Sequence, residues 1–592
     1  MRTRAILACI ALAVAMVASV PTAGAANGGF KTGQPSMLIG VKAGVQITPL
    51  LTVGDVFGDS GFRFESIPDG ISLRTRGKGR VDVYVNHETS KVPFPFGYSL
   101  NPQQRPAAAN GESDFDNSQV SHLILNQISA GALDGSFAIP SSGGFQRFCS
   151  NYLATSKEGF DREILFTNEE SPDYVFRQED SWPPPMGDPN EEENGVVLAL
   201  DVKSKQYHVI YGMGRHNHEN NVAIPGFDDL VVVSGDDTFT SGPLTIPPGG
   251  PNTDSSAASQ SQLYSYIASD TDSLLNDEGD LWAFVSDNPS FDDYYDFVPN
   301  SAQSVTGHFI QVPKNIATGK NPDGSEITSA DVAGFPAPPT DGSWQKDLRT
   351  PIATGIDGPQ WVLEYWSQLN NVFDFVRVED IAYDKRPGMG NVVYVVDSGR
   401  GTAGISQPGR STNGRVWKMV LDPDDPTVVD SLSIQVEGDD FPVKTLNEVH
   451  QPDNIETTQT GLLLTEDPGS SQQFVLADQG LPNATTARLW YVPFSGSPEV
   501  VVKIDQSADG GPTDVGPAPT GNLSIGNWGA WETTGIVDAS AAFGPGAFLI
   551  NVQAHTLWVE KAPGTDDFPP AGPDFTFKRE GGQLLLIRIP GI

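Results

Sequence analysis

Cysteine is nearly absent from this chain. Of its 592 residues only Cys9 and Cys149 are cysteines. Residues 1–25 are predicted to be a signal peptide, because a basic start precedes an apolar run too short to span a bilayer and an A-G-A cleavage pattern at 23–25. Cys9 leaves with that signal, so the mature chain can form no internal disulfide. Three roles stay open for Cys149: a buried apolar residue, a metal ligand or a nucleophile.

Basic residues are scarce as well. The chain has 36 Lys and Arg against 74 Asp and Glu, a net charge of −38, and loss of Arg2 and Arg4 with the signal takes it to −40. So acidic an exterior repels nucleic acid and anionic membranes and favours divalent cations. An anionic ligand would need a locally positive group, and bound metal supplies one.

Long apolar runs and long amphipathic helices are also missing after the signal. The sequence therefore predicts no transmembrane helix. Because there is no twin-arginine pair, we expect Sec-type export to a secreted or periplasmic location. The 62 Gly and 47 Pro indicate many turns and an all-β chain. No Walker loop, HExxH, G-x-S-x-G or paired CxxC occurs, which favours metal-assisted chemistry or none.

One module recurs along the chain. A polar or acidic cluster is followed by a short β run, a second acidic cluster and a distal strand that begins near Gly. Copies cover 79–90, 162–201, 216–268, 377–422, 450–494 and 531–589. Such repetition predicts a six-bladed β-propeller, in which the innermost strands of all blades converge on one axis. We expect a single domain over 26–592, with loop insertions near 241–261 and 286–354.

Carboxylates at matched places in this module are candidate metal ligands, since hard cations prefer oxygen ligands from several loops. The first set is Glu88, Glu169, Glu170, Glu219, Glu379 and Asp453. The second acidic clusters, which belong to the same shell or the next, contain Asp236, Asp237, Asp397, Glu466 and Asp467. The histidines that could bind metal or orient a carboxylate are His87, His216 and His218.

Arg377 stands two residues before Glu379, so on a strand the two side chains share a face. Two interpretations stay open for this arginine. Its guanidinium could fork onto two oxygens of a phosphate or carboxylate ligand. Alternatively, it forms an ion pair with one of the many acids.

Five motifs occur in a fixed order: VYVNHETS, GRHNHENNVAIPG with LVVVSGDDT, RVEDIAYD with VYVVDSG, VHQPDNIE with GLLLTEDPG, and FLINVQAHT. In this order they resemble PhoX-type alkaline phosphatases over most of the mature chain. The resemblance implies a six-bladed propeller with iron and calcium on its axis, which hydrolyses phosphate esters outside the cytoplasm. Arg-Val-Glu stands here where that family has Arg-Pro-Glu.

The resemblance also implies roles for individual residues. Cys149 would bind iron, and Arg377 and Asn86 would contact the phosphate. The metal carboxylates would be one of Glu169 and Glu170, together with Glu219, Glu379 and Asp453. We expect a monomer that acts on small phosphate esters, with neither nucleic acid nor membrane as a partner.

Two other functions remain open from the residues alone. A calcium-stabilised propeller could be a non-catalytic binding module, with a structural carboxylate cage and a merely buried Cys149. A propeller hydrolase of another class, such as a lactonase, would need calcium but not the thiol.

Overall fold

The computed structural model describes residues 28–65, 67–88, 117–171, 174–177, 191–238, 261–299, 301–340, 344–345, 355–399, 413–438, 447–467, 485–505, 531–560 and 575–592. The expected signal peptide and nearly all of the expected insertion at 241–261 lie outside the described residues.

The described residues form thirty β-strands. In the first half of the chain these are β1 (Leu38–Gly40), β2 (Gln46–Thr52), β3 (Val56–Phe57), β4 (Phe62–Arg63), β5 (Pro68–Gly77), β6 (Arg80–His87), β7 (Gln119–Asn126), β8 (Ala132–Ile139), β9 (Phe148–Ala154), β10 (Ile164–Glu169), β11 (Tyr174–Phe176), β12 (Glu191–Glu193), β13 (Val197–Asp201), β14 (Gln206–Ile210), β15 (His218–Ile224), β16 (Leu230–Asp236), β17 (Leu263–Ala268) and β18 (Asp280–Ser286).

The second half continues the series. Its strands are β19 (Ser304–Gln311), β20 (Val378–Tyr383), β21 (Val392–Asp397), β22 (Arg415–Leu421), β23 (Val428–Glu437), β24 (Pro452–Thr457), β25 (Gly461–Glu466), β26 (Arg488–Pro493), β27 (Glu499–Ile504), β28 (Glu532–Asp538), β29 (Ala547–Glu560) and β30 (Phe575–Arg588). The α-helices are α1 (Thr271–Leu275), α2 (Lys314–Thr318), α3 (Pro359–Leu369) and α4 (Ser540–Phe543). None of the described helices is long and apolar enough to cross a membrane.

The strands pair into antiparallel sheets of similar design. Three sheets have four strands, in the orders β5-β6-β7-β8, β14-β13-β10-β9 and β2-β30-β29-β28. A fourth has five, β1-β27-β26-β25-β24, and a fifth has nine, β15-β16-β17-β18-β19-β23-β22-β21-β20. Two small hairpins, β3-β4 and β11-β12, complete the set.

Six strands form the centre of the molecule. β5, β9, β15, β20, β24 and β28 contact one another in that order, and β28 contacts β5 again. We call them the axial strands. They make the fold a propeller-like arrangement, with the sheets radiating from a common axis. The all-β class predicted from the sequence is confirmed.

The apolar core lies between neighbouring sheets. One cluster packs Val222 and Val233 of one half of the nine-stranded sheet against Val393 and Val395 of the other half. Trp417 is fully buried in the same cluster. Each such side chain contributes about 2 kcal/mol by leaving water, so this interlocking keeps the axial strands at fixed spacing.

The segment 286–354, expected to be a loop insertion, is partly regular. β19 lies between β18 and β23 and joins the two halves of the nine-stranded sheet. Its sequence SVTGHFIQ alternates exposed residues with buried Val305, Gly307 and Phe309. This two-residue period is the pattern of a half-buried strand. Because many Pro and Asp residues surround the strand, the sequence predicted a loop insertion there instead.

Candidate metal centre

Each axial strand carries a β-bulge in the same place. Near the start of the strand two residues oppose a single residue of the next strand in its sheet. A bulge bends the strand and redirects the side chains of the extra residues. The bulged pairs are Asp69-Gly70, Cys149-Ser150, Glu219-Asn220, Glu379-Asp380, Asp453-Asn454 and Gly535-Ile536. The first member is an acid or a thiol in five of these six pairs.

A second set of side chains comes from the end of the strand beside each of the first five axial strands. Its pairs are His87-Glu88, Glu169-Glu170, Asp236-Asp237, Asp397-Ser398 and Glu466-Asp467. The first member of each pair lies opposite the residue that precedes the bulge. Since neighbouring strand residues point to opposite sides, the second member is directed towards the bulged residues.

The two sets meet in an arc of ligand atoms. Three groups each bring one ligand atom per residue to within 4.8 Å of the others: Asp69, Glu88 and Cys149; Cys149, Glu170 and Glu219; Glu219, Asp237 and Glu379. Cys149 and Glu219 each belong to two groups, so the three are contiguous. We call these seven residues the ligand arc.

Contacts within the arc leave one ligand atom unsatisfied. The Cys149 thiol donates to Asp69 Oδ2 over 2.8 Å, and the Ser150 hydroxyl donates to Glu219 Oε1 over 2.9 Å. Glu219 Oε2 is buried and has no hydrogen-bond partner among the described residues. A buried carboxylate oxygen without a donor is unfavourable, and a cation beside it removes that cost.

The buried acids of the arc raise one another's pKa values. Burial and the neighbouring Glu88 raise the pKa of Asp69 to about 7. Burial likewise raises the pKa of Glu170, Glu219 and Glu379 well above the ordinary range, and nearby acids add to the effect for each. Burial also raises the pKa of the Cys149 thiol. A bound divalent cation reverses these shifts, because it stabilises every deprotonated ligand.

Glu169 and Glu170 have different roles. The Arg177 guanidinium forks onto Glu169, with Nη1 3.0 Å from Oε1 and Nη2 2.9 Å from Oε2. The backbone N–H of Gln146 also donates to Glu169, over 3.0 Å. Glu169 therefore belongs to the scaffold and not to the metal ligands with which the sequence grouped it. Glu170 is the member of the pair that lies in the arc.

Asn86 does not face the arc, so the expected contact with phosphate is wrong for this residue. Its side chain is completely buried. Nδ2 lies 2.8 Å from Cys149 O, 2.9 Å from Ser150 O and 2.8 Å from Thr167 Oγ1. Asn86 thus fixes the Cys149-Ser150 bulge from behind, and no part of it is accessible to a ligand.

Arg377 lies at one end of the arc, and the ion-pair interpretation describes its contacts. Nε and Nη2 each lie 2.8 Å from a carboxylate oxygen of Asp237, and Nη2 is 2.9 Å from Glu379 Oε1. The Arg377 side chain is 17% exposed.

A second arginine lies at the middle of the arc. Nη1 of Arg147 is 3.7 Å from Glu170 Oε1. No sequence motif pointed to Arg147.

Asp453 borders the arc, whereas Glu88 and Asp69 belong to it. Asp453 is buried and lies outside the three groups, and its burial together with the nearby charge of Glu379 raises its pKa. Glu88 is half-buried and accepts a hydrogen bond of 3.0 Å from Gln553 Nε2. Asp69 was missed by the sequence analysis. Its context, Pro68-Asp69-Gly70, matches Pro452-Asp453-Asn454 in the chain, so the signal was present.

The histidines of the HNHENN motif support the scaffold. His218 Nδ1 lies 2.9 Å from Ser234 Oγ and Nε2 3.1 Å from Gly214 O, and the His216 ring packs against the His218 ring. Burial lowers the pKa of His218 to about 3, so this ring stays neutral. His87 Nε2 lies 2.7 Å from Ser121 Oγ. None of these three residues belongs to the three groups of ligand atoms.

The division between scaffold and arc gives a direct test. Glu169→Gln is expected to lower the free energy of unfolding by about 3 kcal/mol, because it leaves the Arg177 charge without its buried partner. Glu170→Gln is expected to leave stability of the metal-free protein unchanged or higher and to weaken metal binding. Urea denaturation and metal analysis of both variants measure this. Equal metal loss in both would contradict the assignment.

No protein-family model matches the chain, and no curated protein matches it. The NanB sialidase of Streptococcus pneumoniae has a TM-score of 0.26 and 10% identity, over 77% of this chain and 70% of that chain. A candidate glycoside hydrolase of Bacteroides ovatus has a TM-score of 0.25 and 9% identity, over 74% and 87%. A candidate 6-phosphogluconolactonase of Bacteroides fragilis has a TM-score of 0.18 and 9% identity, over 73% and 99%. Likeness at this level transfers no site residue and no substrate.

Proposed function

We propose that the protein is an exported, metal-dependent hydrolase of phosphate esters. The observation that supports this most is the ligand arc, in which a thiol and six carboxylates from separate strands lie together with Glu219 Oε2 unsatisfied. An acidic protein binds a phosphate ester only where cations overturn its own field. The motif order of PhoX-type phosphatases gives the proposal its reaction class.

We also propose that the propeller has six blades. The nine-stranded sheet would then be two four-stranded blades, β15 to β18 and β20 to β23, whose outer strands are joined by β19. The six axial strands and their six bulges support this number. Each of the six blades would then contribute one bulge to the axis.

The chemistry of the three groups suggests which metal each would hold. A thiolate is a soft ligand that suits iron, whereas a site of carboxylates alone suits calcium. The two groups that share Cys149 are therefore proposed for iron, and Glu219, Asp237 and Glu379 for calcium. When bound, such cations would neutralise phosphate oxygens, activate the attacking water and stabilise the leaving alkoxide.

The chain's own contribution would be to orient the ester. Arg147 and Arg377 contact the arc from two positions, through Glu170 in one case and through Asp237 and Glu379 in the other. Both guanidiniums are partly exposed. A guanidinium can donate to two oxygens of one phosphate at once, so these two residues would hold the group in line for displacement.

Metal analysis beside a phosphatase assay tests the proposal. The purified protein is expected to contain iron and calcium and to hydrolyse a chromogenic phosphate monoester, and Cys149→Ala is expected to remove iron and most activity. Calcium alone, with no turnover, would instead support the calcium-stabilised binding module, which the carboxylate-only group also allows. Lactone hydrolysis that survives Cys149→Ala would support the lactonase class.

A further inference from the structure

A second ring of polar side chains lies directly beneath the ligand arc. It consists of the four polar second members of the bulged pairs, which are Ser150, Asn220, Asp380 and Asn454. Asn220 Nδ2 donates to Asp380 Oδ1 over 2.6 Å, and the backbone N–H of Ile455 donates to Asp380 Oδ2 over 2.9 Å. The ring thus links axial strands that follow one another around the axis.

One contact in this ring crosses the axis. Asn454 Nδ2 donates to Ser150 Oγ over 3.1 Å. Ser150 lies on β9 and Asn454 on β24, and these strands are three places apart in either direction around the ring of six. This hydrogen bond therefore joins opposite axial strands across the centre of the ring.

The same hydroxyl that receives this bond serves the ligand arc. Because Asn454 Nδ2 donates to Ser150 Oγ, the serine proton is free to point away, and it is donated to Glu219 Oε1 over 2.9 Å. That bond occupies one oxygen of Glu219 and leaves Oε2 as the unsatisfied one. Asn454 is itself fixed, since its Oδ1 accepts from Thr534 Oγ1 over 2.7 Å.

We propose that Ser150 and Asn454 are positioning residues for Glu219, an inference that rests on the proposed metal site. Asn454 on β24 orients the Ser150 hydroxyl on β9, and this hydroxyl determines which oxygen of Glu219 faces the cation. Removal of a partner that holds a metal-binding carboxylate in place commonly weakens metal affinity about 10- to 100-fold. We expect an effect of about that size for Ser150 and Asn454.

The relay also borders a cavity of about 240 Å³ that is lined by Ser150, Asn220, Asp380 and Asn454. The first members of the five bulges that carry an acid or a thiol do not line that cavity. Loss of the Ser150 hydroxyl would let water from this cavity compete for the freed oxygen of Glu219.

Calcium titration of the metal-stripped protein tests the inference. Ser150→Ala is expected to raise the calcium dissociation constant about 10- to 100-fold, measured by calorimetry with calcium chloride. Ser72→Ala is the matched control. Ser72 is equally buried on an axial strand, but its hydroxyl donates to Asn151 Oδ1 over 2.5 Å and not to the arc. This control is expected to leave the constant unchanged.

Asn454→Asp gives a second test, in which added charge and loss of the relay change calcium affinity in opposite directions. The aspartate can still accept from Thr534 but cannot donate to Ser150, so the serine proton is expected to turn away from Glu219. The added negative charge alone would tighten calcium binding, whereas loss of the relay weakens it. Weaker binding supports the relay, and tighter binding contradicts it.

The outcomes separate the inference from the proposal on which it rests. If the wild-type protein binds neither calcium nor iron, both the metal site and the relay are wrong. If the wild-type protein binds calcium, and the Ser150→Ala variant is folded by circular dichroism and binds calcium with the same affinity, only the relay is wrong. The double variant of Ser150→Ala with Asn454→Asp is expected to be no weaker than Ser150→Ala, since both residues act through one bond.

Discussion

Glu219→Gln is expected to reduce phosphate-ester hydrolysis by at least about 100-fold, since even residues that merely orient a metal ligand change activity 10- to 100-fold. Glu219 belongs to two of the three groups of ligand atoms. Its Oε1 is held by Ser150 and its Oε2 is unsatisfied. Glutamine keeps the shape but offers one uncharged oxygen, so both groups lose a charged ligand in one substitution. Turnover of a chromogenic phosphate monoester and metal content measure the effect.

A buried glutamate elsewhere provides the control for this substitution. Glu364 on α3 is as deeply buried, and burial raises its pKa too, but it lies outside the ligand arc. Glu364→Gln is expected to keep metal content and turnover. If Glu219→Gln kept full metal content and turnover, Glu219 would not be a ligand and the proposed centre would be wrong.

Removal of the metals is expected to make the protein unstable as the pH rises. Burial raises the pKa of Asp69 from 3.8 to about 7 and that of Asp380 to about 6. Between about pH 4 and pH 7 the metal-free folded state holds protons on these acids that the unfolded chain has already released. The free energy of unfolding therefore falls as the pH increases from about 4 to about 7.

Bound cations are expected to reverse that dependence. Their ligands must be deprotonated, so metal binding and the stability it adds increase with pH. Scanning calorimetry in EDTA should give a lower melting temperature at about pH 8 than at about pH 5, by several degrees. With calcium present the order should invert. A melting temperature in EDTA that rises over this range would show that the acids of the arc are not buried together.

The repeat in the sequence predicted which acids come to the axis. Glu219, Glu379 and Asp453 stand at the same place in their modules, and each is the first residue of a bulge. Cys149, which the sequence made an iron ligand only through the family resemblance, holds the same position on β9. A position that recurs in each module is brought to the axis whatever its residue is, so the repeat could locate these side chains without any knowledge of the bulges.

Strand faces were harder to predict, because a shift of one residue reverses the direction of a side chain. Glu169 and Glu170 are neighbours at the end of β10, and only the register of β10 with β9 determines which of them faces the ligand arc. Asn86 was assigned to the phosphate only through the resemblance to PhoX-type phosphatases, and its side chain instead contacts the backbone of β9.

One of the six bulges carries neither an acid nor a thiol, and a single residue explains why. Gly535 is the first member of the sixth bulge and has a φ of 63°, in the left-handed region. A Cβ there would collide with the backbone oxygen of Asp69. Position 535 therefore has no room for a side chain, so substitution can alter the acid or thiol at the bulges of five axial strands but cannot introduce one at this position of β28.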